Sequence, residues 1–125
     1  METFKLFVDC CKQTIDSTPF FIFSLMVASD ILTGFLKGFI KKKPSSSTGL
    51  KGILKHLGAI FGVLVIATSF DMLGQVEYAN LLLMAMYAVY GISLIGNLNA
   101  CGVKLPAWLL EHFGDVKDRT PKGEE

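Results

Sequence analysis

Two long stretches without charge constrain this chain more than any other feature. Residues 57–70 contain no Asp, Glu, Lys or Arg, and neither do residues 79–100. Charged residues make up 18% of the 125 residues, whereas about 25% is usual for a soluble domain. A domain this small also has a large surface to cover with polar groups. The pattern argues against a disordered chain and an ordinary soluble enzyme, and it predicts a protein whose solvent is lipid.

Three stretches are apolar and long enough to cross a bilayer. We expect membrane spans at about 19–40, 53–70 and 79–100, because about 20 apolar residues in a helix match a hydrocarbon core about 30 Å thick. The second span has a short uncharged part, so Lys55 and His56 are expected at the cytoplasmic interface. The sequence therefore predicts an all-α membrane protein with three transmembrane helices.

Polar segments flank these spans at both ends. Residues 3–16 place apolar side chains at spacings of three and four, which indicates an amphipathic helix. This helix lies in the membrane interface or packs on a partner helix, and we favour the interface. Residues 1–113 are then the membrane domain. Residues 114–125 mix acids, bases, glycine and proline, and are expected to form a short disordered cytoplasmic tail.

The lysines predict the orientation of the chain. Five of them follow the first span within a short stretch: Lys41, Lys42, Lys43, Lys51 and Lys55. The connection after the second span has no Lys or Arg. Because short lysine-rich loops stay on the cytoplasmic side, we expect the N-terminus outside and the C-terminus inside. If the first segment were a re-entrant hairpin, the N-terminus would be inside.

One carboxylate interrupts the first span. Asp30 lies near its centre, where a charge costs about 2.5–3.5 kcal/mol on insertion. Residues of this kind usually face a bundle interior or water. Asp30 is thus either a protonated, hydrogen-bonded group that helps helices assemble or a group that faces a pore or an ion. Gly34 and Gly38 follow it at intervals of four residues.

Small and polar residues indicate helix packing. Gly34 and Gly38 form one GxxxG motif, and Gly58 and Gly62 form another. Such pairs allow close approach of helices in lipid, so they favour self-association or packing within the chain. In the third span Ser93 and Asn97 share a face with other small or polar residues. They either contribute to a packing seam or satisfy one another within one bundle.

The sequence lacks the patterns of catalytic and metal sites. Ser93 has no nearby base, no glycine-rich phosphate loop occurs, and the histidines have no neighbours at metal-ligand spacing. We therefore expect no enzyme activity and no cofactor. With a net charge of +1, nucleic acid is not an expected partner. The three cysteines are interpreted as small apolar residues.

Two segments carry a family resemblance. The stretch DILTGFLKGFIKKKPSSSTGLKGILK and the stretch YGISLIGNLNACGVKLPAWL resemble the small holins of phage lysis and toxin secretion in Gram-positive bacteria and their phages. The positions that match the family pattern, besides Asp30, Ser93 and Asn97, are Ser46, Ser47, Gly49, Gly52, Gly102 and Pro106. Members often carry Glu where this chain has Tyr90 and Gly96.

The resemblance implies a mechanism based on membrane behaviour, without catalytic residues. Holins accumulate in the cytoplasmic membrane, self-associate and open lesions through which an endolysin or a toxin leaves the cell. The expected partners are the lipid bilayer, further copies of the chain, and an endolysin or toxin as functional partner. The alternative is a non-lytic small membrane protein, such as an antiholin or a channel or transporter subunit. A soluble lipid-binding helical protein fits less well, because the uncharged spans leave too little polar surface.

Overall fold

The protein is a bundle of helices in the part of the chain that the structure describes. The structure, a computed structural model, describes residues 1–41 and 46–118. These residues form five helices: α1 Glu2–Asp16, α2 Thr18–Ile40, α3 Ser46–Met72, α4 Val76–Ala100 and α5 Ala107–Asp118. The described residues contain no strand, so the predicted all-α fold is confirmed.

Three of the helices are long and apolar enough to cross a membrane. They are Thr18–Ile40, Gly49–Met72 and Val76–Ala100, with 23, 24 and 25 residues. At a rise of 1.5 Å per residue, each is about 35 Å long. This confirms the three predicted spans. Each helix is somewhat longer than the span read from the sequence, because helical structure continues into the flanking polar residues.

Local sequence signals explain where the helices begin and end. The side chain of Ser17 accepts a hydrogen bond of 3.4 Å from the backbone N–H of Phe20, which caps the start of α2. Gly74 and Gly102 have φ values of +70° and +89°. This left-handed conformation is cheap for glycine, and it ends α3 and α4. Pro106 directly precedes α5.

The three long helices run up, down and up. Side chains of α2 meet α4 at Phe23 with Tyr90, and again further along at Asp30 with Asn97. Because both sequence numbers increase together, α2 and α4 run in parallel. The helix α3 runs in the opposite direction and packs against both of them. The lysine-rich end of the bundle therefore holds the end of α2, the start of α3 and the end of α4.

Aromatic and branched side chains fill the centre of the bundle. Phe23 and Val27 are completely buried. The rings of Phe23 and Tyr90 meet edge to face, with their centroids 5.7 Å apart, a favourable arrangement for aromatic pairs. The buried hydrophobic cluster consists of Phe20, Phe23, Val27, Val63, Leu83 and Tyr90.

The amphipathic helix α1 packs on α3. The hydroxyl of Thr14 donates a hydrogen bond of 2.9 Å to the carboxylate of Asp71. One turn earlier, the hydroxyl of Thr68 contacts the sulfur of Cys11 at 3.6 Å. Thr14 and Thr68 are buried. Of the two arrangements that the sequence leaves open, packing on a helix is therefore present.

The buried side of α1 differs from the apolar stripe that the sequence indicates. Cys10 and Thr14 are its buried residues, whereas Phe4 and Ile15 are 68% and 50% exposed. The reason is that Asp71 on α3 offers a hydrogen-bond acceptor to Thr14, which hydrophobic spacing does not reveal. The exposed apolar side chains of α1 remain available to contact lipid.

The helix α5 extends the ordered part of the chain beyond the predicted domain boundary. It runs through Asp118, so residues 114–118 of the predicted disordered tail are helical. Residues 119–125 lie outside the described residues.

Candidate functional site within the helix bundle

Asp30 lies inside the bundle and is hydrogen-bonded. It is 6% exposed. The amide Nδ2 of Asn97 on α4 donates a hydrogen bond of 3.0 Å to its Oδ1. The same amide lies 3.5 Å from the backbone oxygen of Asp30 and 3.4 Å from the hydroxyl oxygen of Thr33. A buried carboxylate is thereby held between α2 and α4 by a side chain that is itself buried.

A histidine completes the contact from the third helix. The Nε2 atom of His56 on α3 lies 3.6 Å from Oδ2 of Asp30. Its Nδ1 atom lies 3.1 Å from the hydroxyl oxygen of Tyr90 on α4. The rings of His56 and Tyr90 are also in contact, with centroids 5.6 Å apart. We name Asp30, Thr33, His56, Tyr90 and Asn97 the polar cluster.

The polar cluster joins all three spans. Each of α2, α3 and α4 contributes at least one member, and no buried side-chain nitrogen or oxygen among the described residues lacks a hydrogen-bond partner. Satisfied polar groups in an apolar bundle fix the relative positions of helices, because breaking any one contact leaves a buried group unpaired. In this conformation the carboxylate of Asp30 is buried and bonded inside the bundle, and its role in assembly or in a pore stays a prediction.

His56 and Asp30 lie at the same level of the bundle. Ten residues separate Asp30 from the end of α2 at Ile40, and ten separate His56 from the start of α3 at Ser46. Both are therefore about 15 Å from the lysine-rich end of their helices. The sequence places His56 at the interface and Asp30 near the centre of its span, whereas the contact between them puts both side chains at one level of the bundle.

The predicted glycines fall into two groups. Gly34 lies beside the polar cluster, where an added Cβ would be 3.9 Å from Nδ2 of Asn97. At Gly38, Gly58 and Gly62, such a Cβ would have no atom of another described element within 4 Å. Among the described residues, the two glycines of the α3 motif therefore have open space beside them, while Ala59 and Ile60 of the same turn pack against the core. Ser93 is half-buried and lies outside the polar cluster.

The positions from the family pattern also differ in their surroundings. Gly49 allows a close approach, since an added Cβ would lie 3.4 Å from a ring carbon of Phe35, whereas Gly52 has open space. Gly102 and Pro106 separate α4 from α5. The backbone of Ser46 and Ser47 belongs to the first turn of α3, and their side chains lie outside the described part.

The described lysines of the predicted basic loop lie together at one end of the bundle. Lys41, Lys51 and Lys55 are exposed at one end of the bundle, while Lys42 and Lys43 lie outside the described residues. Asp71 and Glu77 lie at the opposite end, where α3 connects to α4. The charge asymmetry seen in the sequence thus becomes an asymmetry between the two ends of the folded chain.

Sequence reasoning missed His56, Tyr90 and Thr33 as members of one site. His56 has no metal-ligand partner close to it in sequence, and its contacts come from Asp30 on α2 and Tyr90 on α4. A histidine one residue before a charge-free stretch was the available signal. An ionisable group at membrane depth usually has a partner or a function.

Three apolar helices held together by a satisfied polar cluster define a small integral membrane protein of the helical-bundle class. The chain belongs to the bacteriophage holin family, whose model matches residues 13–118. The match includes α2, α3 and α4 in full, and it confirms the resemblance carried by the two sequence segments. No curated protein and no solved structure matches the chain.

Proposed function

We propose that this chain is a working holin of the bacterial cytoplasmic membrane. It oligomerises there and permeabilises the membrane, so that an endolysin, or in a toxin-secreting system a large toxin, leaves the cell. The observation that carries this proposal is the family match across all three apolar helices. Depolarisation and host lysis follow from the same lesion.

The outer surface of the bundle supports self-association. Large apolar side chains such as Leu57, Phe61 and Leu81 are 55%, 69% and 59% exposed, which suits contact with lipid or with further copies. The open glycines at 58 and 62 on α3 allow a second helix to approach closely. In lipid, close packing at small residues is a main source of helix association.

The position of Asp30 restricts how copies assemble. Because its carboxylate is bonded to Asn97 and His56 inside the monomer, copies first meet through outer faces. A lesion lined by Asp30 then requires α2 to separate from α3 and α4. The polar cluster accordingly stabilises the closed monomer, and the outer faces bring monomers together.

The charge asymmetry supports the orientation proposed from the sequence. Exposed lysines cluster at the end of the bundle that holds the C-terminal ends of α2 and α4. Placing this end in the cytoplasm follows the positive-inside rule. The start of α2 and the connection between α3 and α4 then face outward, and the C-terminus is inside.

Induced expression with an endolysin tests the proposed function. Bacteria that carry the chain and the endolysin should lose membrane potential abruptly and then lyse. Cells with the endolysin alone should not lyse, because the enzyme stays inside. Cells with the chain alone should depolarise without breakdown of the cell wall. Unchanged growth and potential at high membrane levels of the chain would contradict the proposal.

A matched pair of variants tests the glycine face. Gly58→Leu together with Gly62→Leu should reduce cross-linked oligomers and delay depolarisation, because the added side chains prevent close approach. Leu32→Met on α2, where the side chain is 63% exposed, should leave both unchanged. Equal oligomer yields from the two variants would show that association uses another face.

An antiholin is the second candidate, and co-expression distinguishes it. The observation that favours it is Tyr90, which bonds to His56 at a position where family members often carry Glu. An antiholin would leave cells intact by itself and would delay lysis by a co-expressed holin. Earlier lysis, or lysis without the second holin, supports the leading proposal.

A further inference from the structure

The charged residues of α1 lie on one face of the helix. They follow one another at spacings of three and four residues, which places side chains on the same side of a helix. All of them are exposed, whereas Cys10 and Thr14 on the other side of α1 are buried. We name this face the charged stripe, and it consists of Glu2, Lys5, Asp9, Lys12 and Asp16.

The charged stripe runs alongside an apolar span. Two polar contacts between α1 and α3 link positions that are 57 apart in the chain, so the two helices run in the same direction. By the same offset, Asp9 lies at about the level of Ile66, inside the apolar helix Gly49–Met72. The residues of the stripe that precede Asp9 lie deeper still, and only its last residues lie near the end of α3.

Charges at this depth require cover from lipid. Asp9 lies about 9 Å below the end of α3, which is further than its short side chain reaches. None of the residues of the stripe forms an ion pair with another described residue. Ionisable side chains at membrane depth are costly, and they usually pair with one another or face water. The stripe is therefore a surface that the described part of one copy leaves without a partner.

The signs of the charged stripe make it complementary to a copy of itself. They alternate along α1, from acid to base, and end on an acid. With about 100° between successive residues, the acids lie toward one edge of the stripe and the lysines toward the other. When two such helices pack in the same direction about a two-fold axis, each acidic edge faces the lysine edge of the other copy. In the opposite direction, like charges would meet.

Membrane insertion selects the favourable arrangement. Copies of one chain that insert with the same orientation have α1 helices that run in the same direction, and a two-fold axis along the membrane normal relates two neighbours. Lys5 of one copy then lies between the levels of Glu2 and Asp9 of the other. Lys12 lies between the levels of Asp9 and Asp16. A layer of anionic headgroups, by contrast, would match the lysine edge only.

We propose that the charged stripe of α1 binds the charged stripe of a second copy of this chain. The pair forms while α1 stays packed on α3, and the lysines of each copy cover the acids of the other from lipid. The inference rests on the proposed function, of which it specifies one contact between copies. The glycines at 58 and 62 lie on α3, so a pair joined at α1 can still meet further copies through them.

Charge reversal in two matched variants tests this contact on the purified full-length chain in detergent micelles. Lys5→Glu with Lys12→Glu makes the stripe wholly acidic. Glu2→Lys with Asp9→Lys makes it mostly basic. A photo-reactive residue in place of Gln13, which is exposed beside the stripe, reports pairs as cross-linked dimers. Each variant alone should give about tenfold fewer dimers than the wild type, and a mixture of the two should restore them, because opposite stripes attract.

A control variant separates this contact from a general effect of charge. Lys51→Glu with Lys104→Glu reverses the same number of charges on exposed side chains outside α1. It should keep the dimer yield of the wild type. An equal loss of dimers in the control would overturn the proposal, and so would a mixture of variants with native helix content that fails to restore dimers.

A measurement on the unreversed stripe keeps the test decisive if charge reversal prevents folding. Isotopically light and heavy chains, each with the photo-reactive residue at position 13, are mixed and irradiated. Peptides that join a light and a heavy chain should link α1 to α1, and links from α1 only to other helices would refute the contact. Neither measurement uses lysis. A chain that depolarises cells without α1 links refutes this inference alone, whereas a chain with these links that never depolarises cells refutes the holin function.

Discussion

Replacing Asn97 with alanine is the sharpest perturbation of the polar cluster. Its amide is the donor to Oδ1 of Asp30 at 3.0 Å, and both residues are buried. The substitution removes that donor and leaves a carboxylate oxygen without a partner. Leaving a buried acceptor unsatisfied costs about 1–3 kcal/mol, and more when the acceptor is charged.

A membrane environment lowers the expected free-energy cost of losing this hydrogen bond. Interhelical hydrogen bonds in membrane proteins average about 0.6 kcal/mol and reach about 1.7 kcal/mol, because separated helices also find partners. Because the acceptor of the Asn97 hydrogen bond is a carboxylate, we expect a cost in the upper part of these two ranges. Asn97→Ala should therefore lower the free energy of unfolding by about 2 kcal/mol. This corresponds to a change of about 30-fold in the folding equilibrium.

The assay is reversible unfolding of the chain in mixed micelles, followed by circular dichroism. Asn99→Ala is the matched control, because Asn99 lies on the same helix and is exposed. It should change the free energy of unfolding by less than about 0.5 kcal/mol. If Asn97→Ala costs no more than Asn99→Ala, the hydrogen bond to Asp30 does not hold α2 to α4.

Two further substitutions test local packing. Gly52→Ala should stabilise the chain by about 0.5–1 kcal/mol through helix propensity. Gly49→Ala should stabilise it less or not at all, because the added Cβ would lie 3.4 Å from the ring of Phe35. Equal gains in the thermal unfolding midpoint would show that α3 does not approach α2 closely at Gly49. Thr14→Val removes the hydrogen bond from Thr14 to Asp71 that joins α1 to α3. Maleimide should therefore label Cys11 faster than in the wild type. An unchanged labelling rate would contradict the packing of α1 on α3.

The spans could be predicted from sequence because lipid imposes one simple rule. A helix in hydrocarbon must be apolar for about 20 residues, and α2, α3 and α4 satisfy this locally. Asp30 and Asn97 could also be singled out one at a time, since each is a polar residue in an apolar helix. Their pairing could not, because it depends on which faces of α2 and α4 meet, and periodicity within one helix does not determine that.

Periodicity within one helix also does not reveal which side of α1 is buried or at what level His56 lies in the bundle. The burial of Thr14 depends on Asp71, which is 57 positions away in the chain. The level of His56 relative to Asp30 is set by their contact across two helices, which a count of uncharged residues along one helix does not reveal. The glycines at 58 and 62 show the converse case. The motif is evident in sequence, but the described residues leave space beside both glycines, and a role between copies is what we propose for it.

Release of a protein-sized cargo from liposomes tests the central claim most directly. The purified chain is reconstituted at increasing density into vesicles that hold a small dye and a fluorescent dextran of endolysin size. A holin of this kind should release both together above a threshold density, since its lesion must pass a folded enzyme. Retention of the dextran at every density, with the chain inserted in the bilayer, would contradict the proposed function.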